Sequence, residues 1–160
     1  MPFRYGIATM TDVPQVILHA EFELNGARHR GLAADLLPPK WFTKDPARGL
    51  ADEIDEMLLV IHTALQHARD LRAPTAFAFW RDLDAAQSSW GAGRRLPPLL
   101  TGFGTSFVER ALLHALCRAH GATLSEALRG GLAGIEPGAV APALRGVAPA
   151  DFLPATPPAE

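Results

Sequence analysis

Carboxylates are the first candidates for chemistry in this chain of 160 residues, because four of them fall in one short stretch. A divalent-cation site needs such a concentration, and Asp52, Glu53, Asp55 and Glu56 supply it. They stand at the start of a predicted helix, however, where acidic side chains stabilise the helix dipole. We therefore assign them to the helix terminus and predict no magnesium site there.

Histidine, cysteine and serine lack the spacings of metal or nucleophile sites. His62 and His67 are five residues apart, so they do not share a helix face as zinc ligands at i and i+4 would. The single cysteine, Cys117, excludes a cysteine-based zinc site and an intrachain disulfide, and its helical position favours the core or its boundary. Ser106 and His114 could pair as nucleophile and base, but Ser106 is expected to cap a helix.

Nucleotides, nucleic acids and membranes are not indicated as ligands. Residues 102–104, Gly-Phe-Gly, lack the third glycine and the preceding strand of a dinucleotide-binding loop. A net charge of −2 gives no long-range attraction to nucleic acid or to an anionic membrane. No stretch has the length and apolarity of a membrane span, and residues 1–4 lack the apolar run of a signal peptide. We expect a reducing, cytoplasmic setting.

Helices are the elements that would position these side chains. An S-x-x-E capping box, Ser106 with Glu109, predicts a helix start at Ser106, and Gly121 suits a left-handed helix end. A second capped helix is predicted from Thr123 to Gly130. Apolar periodicity predicts further helices over 50–71 and 75–89, with a short one within 132–144. Residues 90–104, rich in Gly, Pro and Arg, are predicted as a loop.

A three-stranded antiparallel sheet is predicted over residues 4–36. Residues 4–10 read as the first strand, and residues 15–36 read as a hairpin because Asn25-Gly26 supplies the positive φ angles of a two-residue turn. That turn fixes the register and places two acid–base pairs opposite each other, Glu21 with Arg30 and Glu23 with Arg28. The predicted fold class is α+β, one domain with a three-stranded sheet followed by a helical bundle.

The loop at 37–46 carries both lysines of the chain and a tryptophan. Two consecutive prolines, Pro38 and Pro39, prevent regular structure there. One interpretation is that Trp41 and Phe42 fill the junction between sheet and helices, while Lys40 lies in water. The other is that this loop contacts a ligand, and both interpretations stay open at this point.

Three short stretches carry a family resemblance: Glu109-Arg110-Ala111, residues 117–121 (Cys-Arg-Ala-His-Gly) and Ala127-Leu128-Arg129. Together with residues 36–46 they resemble the N-terminal capping domain of the enolase superfamily, and most closely its mandelate racemase/muconate lactonizing branch. The resemblance implies an enolase N-terminal-domain-like fold over residues 1–146. Residues 147–160, which contain four prolines, would be a tail or linker toward a (β/α)8 barrel that this chain lacks.

In that superfamily the barrel holds magnesium and carries the bases that form a metal-stabilised enolate. The resemblance therefore implies no catalytic residue, metal ligand or cofactor in this chain, the magnesium being bound by the barrel. It also implies that two cap loops contact substrate. The substrate-contact candidates are Thr9, Met10, Thr11 and Asp12 in one loop, and Lys40 and Trp41 in the other. The ammonium would meet an anionic group, and the indole would cover an apolar portion.

Two functions are open on this basis. The first is a capping, substrate-specificity domain of a mandelate racemase-like, metal-dependent enzyme, truncated or split and inactive alone, with a barrel domain or chain as its partner. The second is a stand-alone, non-catalytic protein-interaction module that retains the cap fold. In the first case apolar surface stays uncovered without the partner, so we expect the isolated chain to form a homo-oligomer.

Overall fold

The computed structural model describes residues 2–155 of the chain. Within these residues, four strands precede five α-helices and two short 3₁₀ helices, Pro142–Leu144 and Pro149–Asp151. The strands are β1 (Phe3–Tyr5), β2 (Ala8–Met10), β3 (Gln15–Leu24) and β4 (Ala27–Leu36). The α-helices are α1 (Leu50–Ala68), α2 (Ala76–Gly93), α3 (Pro98–His120), α4 (Leu124–Arg129) and α5 (Pro137–Val140). No helix among them is long and apolar enough to cross a membrane.

The strands form two separate two-stranded antiparallel sheets, so the predicted three-stranded sheet is wrong, although the α+β class is confirmed. Residues expected to form one strand instead form two, β1 and β2, which pair with each other. Gly6 makes this turn practicable, because its φ of 52° lies in the region that glycine adopts without steric cost. The first strand therefore folds back on itself and does not extend the larger sheet.

The β3–β4 hairpin has the predicted position and register. Leu24 lies opposite Ala27, across a turn in which Asn25 and Gly26 have φ angles of 52° and 80°. The predicted pairs Glu21–Arg30 and Glu23–Arg28 are also opposite each other. This agreement follows from local geometry, since a two-residue turn of this kind allows one pairing of the strands that flank it.

The start of α3 is the main departure among the helices. It begins at Pro98, so Ser106 lies inside the helix, where its hydroxyl donates a 2.8 Å hydrogen bond to the carbonyl oxygen of Phe103. The predicted capping box at Ser106 and most of the predicted loop at 90–104 are therefore wrong. Proline suits the first helical position because its missing N–H would have no partner there. The predicted end of this helix at Gly121 is confirmed, because Gly121 has a left-handed backbone. The predicted start of the next helix at Thr123 is confirmed by a complete Thr123–Glu126 capping box.

Helix α3 is central to the core and contacts the β3–β4 hairpin, α1 and α2. Two glycines permit this close packing. A Cβ on Gly31 of β4 would lie 1.9 Å from the carbonyl oxygen of Ala111, and one on Gly104 would lie 2.2 Å from that of Val60. Phe107 and Val108 fill the adjoining space and are essentially fully buried. The sheet and α1 are thus held directly against the backbone of α3.

Residues 147–155, predicted as part of a loosely packed tail, are anchored to α4. Arg129 donates hydrogen bonds to the carbonyl oxygens of Ala150, at 3.2 Å, and of Leu153. Pro149 is buried in the same region. The remaining tail residues of that prediction, 156–160, lie outside the described residues.

Candidate substrate-contact surface

The loop at 37–46 contacts strand β1, which pairs with β2, where the first set of substrate-contact candidates begins. Tyr5 of β1 donates a hydrogen bond from its hydroxyl to the carbonyl oxygen of Pro39. Its ring meets the ring of Trp41 edge-on, with 5.5 Å between centroids, and stands 5.6 Å from the ring of Phe3. Burial, followed by the nearby charge of Glu53, raises the pKa of the Tyr5 phenol. The β1–β2 hairpin is thereby fixed against the loop at 37–46.

The residues of the first candidate loop lie in and after β2. Thr9 pairs with Arg4 and is exposed, while Met10 pairs with Phe3 and is half-buried. Thr11 and Asp12 follow the strand and are exposed. The polar side chains of this loop are therefore accessible to a ligand that approaches from the hairpin side.

Lys40 does not lie in water, as one interpretation of the sequence expected. Its ammonium lies 2.8 Å from Oε1 of Glu53 and donates to the carbonyl oxygens of Asp45 and Arg48, at 2.9 and 2.6 Å. Its amide also donates to Oε2 of Glu53, at 2.8 Å. The two side chains are 16% and 6% exposed, so this is a largely desolvated ion pair. Because an ammonium has three hydrogens, all of its donors are used within the chain.

Glu53 is the residue that sequence reasoning missed, since it was grouped with the acids of the helix terminus. A signal was present: Glu53 stands four residues before Met57, and both lie on the buried face of α1. A buried carboxylate needs a charged or hydrogen-bonding partner. Lys40 is that partner, and it lies in the loop immediately before the helix.

The two interpretations of the loop at 37–46 apply to different residues: Phe42 fills the junction between sheet and helices, and Trp41 is exposed. Phe42 fills the junction, with its ring 5.0 Å from that of Phe103, which in turn meets Phe107 at 5.1 Å. Trp41 is 51% exposed and contacts Tyr5 at one edge of its ring. The loop therefore presents an open indole surface from a backbone that Lys40 and Phe42 hold in place.

The remaining chemical candidates are engaged in structural contacts. Nδ1 of His67 lies 3.1 Å from Oε1 of Gln87, and Nδ1 of His114 accepts the amide of Leu32 at 2.9 Å. Glu56 forms a 2.8 Å ion pair with Arg48. Glu53 and Glu56, two of the four acids at the start of α1, are therefore each paired with a cation of this chain.

One further carboxylate has a perturbed environment. Burial raises the pKa of Glu109 on α3, and the negative charge of Asp84 on α2 raises it further, while Arg110 acts in the opposite direction. Within residues 2–155, no group of three or more His, Cys, Asp or Glu side chains is arranged to hold a metal ion. Among these residues Glu109 therefore belongs to no such metal-binding group, and its charged neighbours are Asp84 and Arg110.

Comparison with models of protein families, with curated proteins and with solved structures found no match in any of the three. An inference about function accordingly rests on this chain's own residues. The feature that they present most clearly is the Tyr5–Trp41 surface, defined here as Phe3, Tyr5 and Trp41 with the exposed residues that follow β2.

Proposed function

We propose that this chain is a capping domain, truncated or split from a mandelate racemase-like enzyme of the enolase superfamily, and that it covers the substrate site of a (β/α)8 barrel. The observation that carries the proposal is the fixed contact between the β1–β2 hairpin and the loop at 37–46. Tyr5 joins the two segments through Pro39 and Trp41. A cap loop that selects substrates must keep a defined shape, because ordering it on binding would cost affinity.

The roles proposed for the residues follow from their exposure. Trp41 offers its open ring to an apolar part of the substrate, and Thr9, Thr11 and Asp12 offer polar contacts beside it. Met10, half-buried behind them, adds apolar contact. Lys40 is a positioning residue, because its ammonium is bound to Glu53 and to two carbonyl oxygens.

The chemistry itself would come from the partner barrel. In this proposal the barrel binds magnesium and supplies the base that removes the proton next to the substrate carboxylate. Two of the four carboxylates at the start of α1, Glu53 and Glu56, are paired with Lys40 and Arg48. The proposed setting is the cytoplasm, and the proposed state without the barrel is a homo-oligomer through uncovered apolar surface.

The experiment co-expresses this chain with the coding sequence that follows Glu160 and measures magnesium-dependent exchange of the α-proton of 2-hydroxy acids in D2O. We expect exchange only when both parts are present. Trp41→Ala should lower kcat/KM by about tenfold or more, because it removes a packed apolar contact. The matched control is Leu99→Ala, which removes another exposed apolar side chain outside the proposed surface.

Three results would count against the proposal. Exchange by the isolated chain would show that the chemistry does not need a barrel. Unchanged kinetics for Trp41→Ala would remove the loop from the substrate site. A following sequence without a barrel, together with a chain that sediments as a stable monomer, would favour the stand-alone interaction module instead.

A further inference from the structure

The two edges of the β3–β4 hairpin differ in whether side chains of other elements bond to their backbone groups. On the β4 edge, α3 satisfies two backbone groups: the Leu32 amide donates to Nδ1 of His114 at 2.9 Å, and the Ala34 carbonyl oxygen accepts from Arg110 at 3.0 Å. On the β3 edge, no contact of this kind is present within residues 2–155. The β4 edge is therefore partly covered by side chains of α3, and the β3 edge has no such cover within this range.

The register identifies which backbone groups are open. Leu24 and Ala27 flank a two-residue turn and so exchange both of their hydrogen bonds. Because bonded and non-bonded pairs alternate in an antiparallel ladder, the even-numbered residues of β3 bond to β4. The odd-numbered residues, Gln15, Ile17, His19, Glu21 and Glu23, direct their amides and carbonyls away from it. The β4 edge obeys the same rule, since the groups bonded by α3 belong to Leu32 and Ala34, opposite His19 and Ile17.

The β3 edge has few of the features that usually protect a free edge. Proteins commonly place charged side chains (lysine above all), proline or a bulge on such strands, and the charged residues of β3 are Glu21 and Glu23. Residues 15–24 contain neither proline nor lysine, and their pairing with β4 runs without interruption from Gln15 to Leu24. A ten-residue strand with one open edge is a ready template for another strand.

An open groove of about 1060 Å³ involves the same strand. Its walls include the inner face of β3, the end of α1, and parts of α2 and α3, and its apolar lining includes Leu18, Phe22, Leu65, Ala68, Phe79 and Leu116. Glu21 and Glu23, which are exposed on the outer face of β3, border the groove along the strand edge, and Arg69 and Arg72 border it on the helix side. None of the lining residues belongs to the Tyr5–Trp41 surface.

We propose that the β3 edge binds an extended segment of another polypeptide, which adds to the hairpin as a strand. Its alternate apolar side chains would enter the groove beside Leu18 and Phe22. Its other side chains would lie on the outer face, where basic residues complement Glu21 and Glu23. Glu21 already accepts a 3.0 Å hydrogen bond from Arg30 of β4, whereas Glu23 makes no ion pair within the described residues.

A second copy of this chain is the less suitable occupant. Two copies paired edge to edge around a twofold axis would place both sets of helices on the same face of the joined sheet. In each copy, the groove is lined by the end of α1 and by the residues between α1 and α2. These elements of one copy would then approach the groove of the other copy. A single extended segment brings no such helices, and it needs only the space beside one strand.

The binding test uses a fluorescein-labelled synthetic peptide, Thr-Val-Lys-Val-Thr-Val-Lys-Val-Thr, and measures anisotropy with the full chain. Two further versions carry N-methyl groups, either on the valine amides or on the lysine and threonine amides. Since only alternate amides of an added strand face β3, one methylated peptide should bind as the parent does, and the other should lose at least about tenfold in affinity. Equal binding by both, or by a peptide of the same composition with the valines grouped together, would overturn the proposal.

Two variants test the site on the protein. His19→Pro removes an outward amide without removing a hydrogen bond to β4. It should therefore lower the affinity for the parent peptide by about tenfold or more, whereas the matched control His19→Thr should leave the affinity unchanged. Ala68→Arg places a bulky charge of the same sign as the peptide's lysines in the groove and should also weaken binding, so it provides an independent test if the proline variant fails to fold. Unchanged affinity in a folded His19→Pro or Ala68→Arg protein would overturn the proposal.

Amide hydrogen exchange distinguishes a peptide site from self-pairing. In the free chain, the amides of Ile17, His19 and Glu21 should exchange faster than those of Leu18 and Ala20. Addition of the peptide should slow the odd-numbered amides. If these amides exchange slowly without peptide, and exchange more slowly as the protein concentration rises, a second copy occupies the edge. That result would overturn the proposal. The proposed capping function does not enter into this test, so either inference can fail without the other.

Discussion

Lys40 and Glu53 are joined twice, by a 2.8 Å ion pair between their side chains and by a 2.8 Å hydrogen bond from the Lys40 amide to the same carboxylate. This contact ties the loop at 37–46 to the first turn of α1. It also supports an unusual backbone, since Lys40 has a φ of 57°. The position of Trp41 therefore depends on a charge pair that water scarcely reaches.

Removal of one member of this pair should destabilise the fold strongly. Lys40→Met leaves Glu53 as a buried carboxylate without its cation, and breaking a buried pair in this way costs about 3–5 kcal/mol. The matched control is Lys44→Met, at the other lysine, which is exposed and should change stability by about 0.5 kcal/mol or less. Urea unfolding followed by circular dichroism measures both. Equal stability of the two variants would show that the ion pair contributes little.

The two neighbouring aromatic residues should differ in their effect on stability. Phe42→Ala removes a ring packed against Phe103 and should lower the free energy of unfolding by about 3 kcal/mol. Trp41→Ala removes a half-exposed ring and should cost about 1 kcal/mol or less. Denaturant titration of both variants provides the comparison. A larger loss for Trp41→Ala would identify it as the residue that fills the junction and would weaken its proposed role in contacting substrate.

Two glycines of α3 provide a matched pair of substitutions. A Cβ on Gly102 meets nothing within 4 Å, so Gly102→Ala should stabilise the protein by about 0.5–1 kcal/mol through helix propensity. A Cβ on Gly104 would lie 2.2 Å from the Val60 carbonyl oxygen, so Gly104→Ala should destabilise it by about 1–3 kcal/mol. Thermal unfolding should therefore shift in opposite directions. Similar shifts would argue against the close contact between α1 and α3.

The environment of Glu109 predicts a pH dependence of stability. Its pKa is raised in the folded state, chiefly by burial and then by Asp84, so the folded protein holds this proton more tightly than the unfolded chain does. The stabilising effect is complete below the unfolded pKa and is lost as the pH rises through the folded pKa. Glu109→Gln should therefore be more stable than the wild type at neutral pH, and this advantage should disappear in acid.

Glu126 provides the control for that titration, because its pKa is lowered by hydrogen bonds from the backbone and side chain of Thr123. Its contribution is present above the unfolded pKa and is lost as the pH falls through the folded pKa. Glu126→Gln should thus be less stable than the wild type at neutral pH and should approach it in acid. Unfolding measured at several pH values should give opposite trends for the two variants. Parallel trends would contradict the assignment for Glu109.

Elements whose signals are local were predictable from the amino-acid sequence. Asn25-Gly26 fixed both the turn and the β3–β4 register, because the backbone angles of a two-residue loop leave one pairing available. The Thr123–Glu126 capping box and the left-handed Gly121 were equally predictable, since their partners lie within four residues. Of the candidate site, Trp41 and residues 9–12 come from the family resemblance, and their contact with a substrate stays a prediction.

Features that depend on partners distant in the chain became apparent only in the folded protein. Gly102 and Gly104 favoured a loop in the sequence, because glycine is unfavourable inside helices. In the fold, however, α3 continues through both, since Gly104 packs so closely against α1 that a Cβ would not fit. The same local pattern that predicted a cap at Ser106 occurs inside a helix, where Ser106 bonds to Phe103 instead. Lys40 appeared solvated until the fold placed it on Glu53, thirteen residues away in the chain. The open β3 edge has the same origin, because β1 pairs with β2, and a pairing choice between strands is made by the folded chain as a whole.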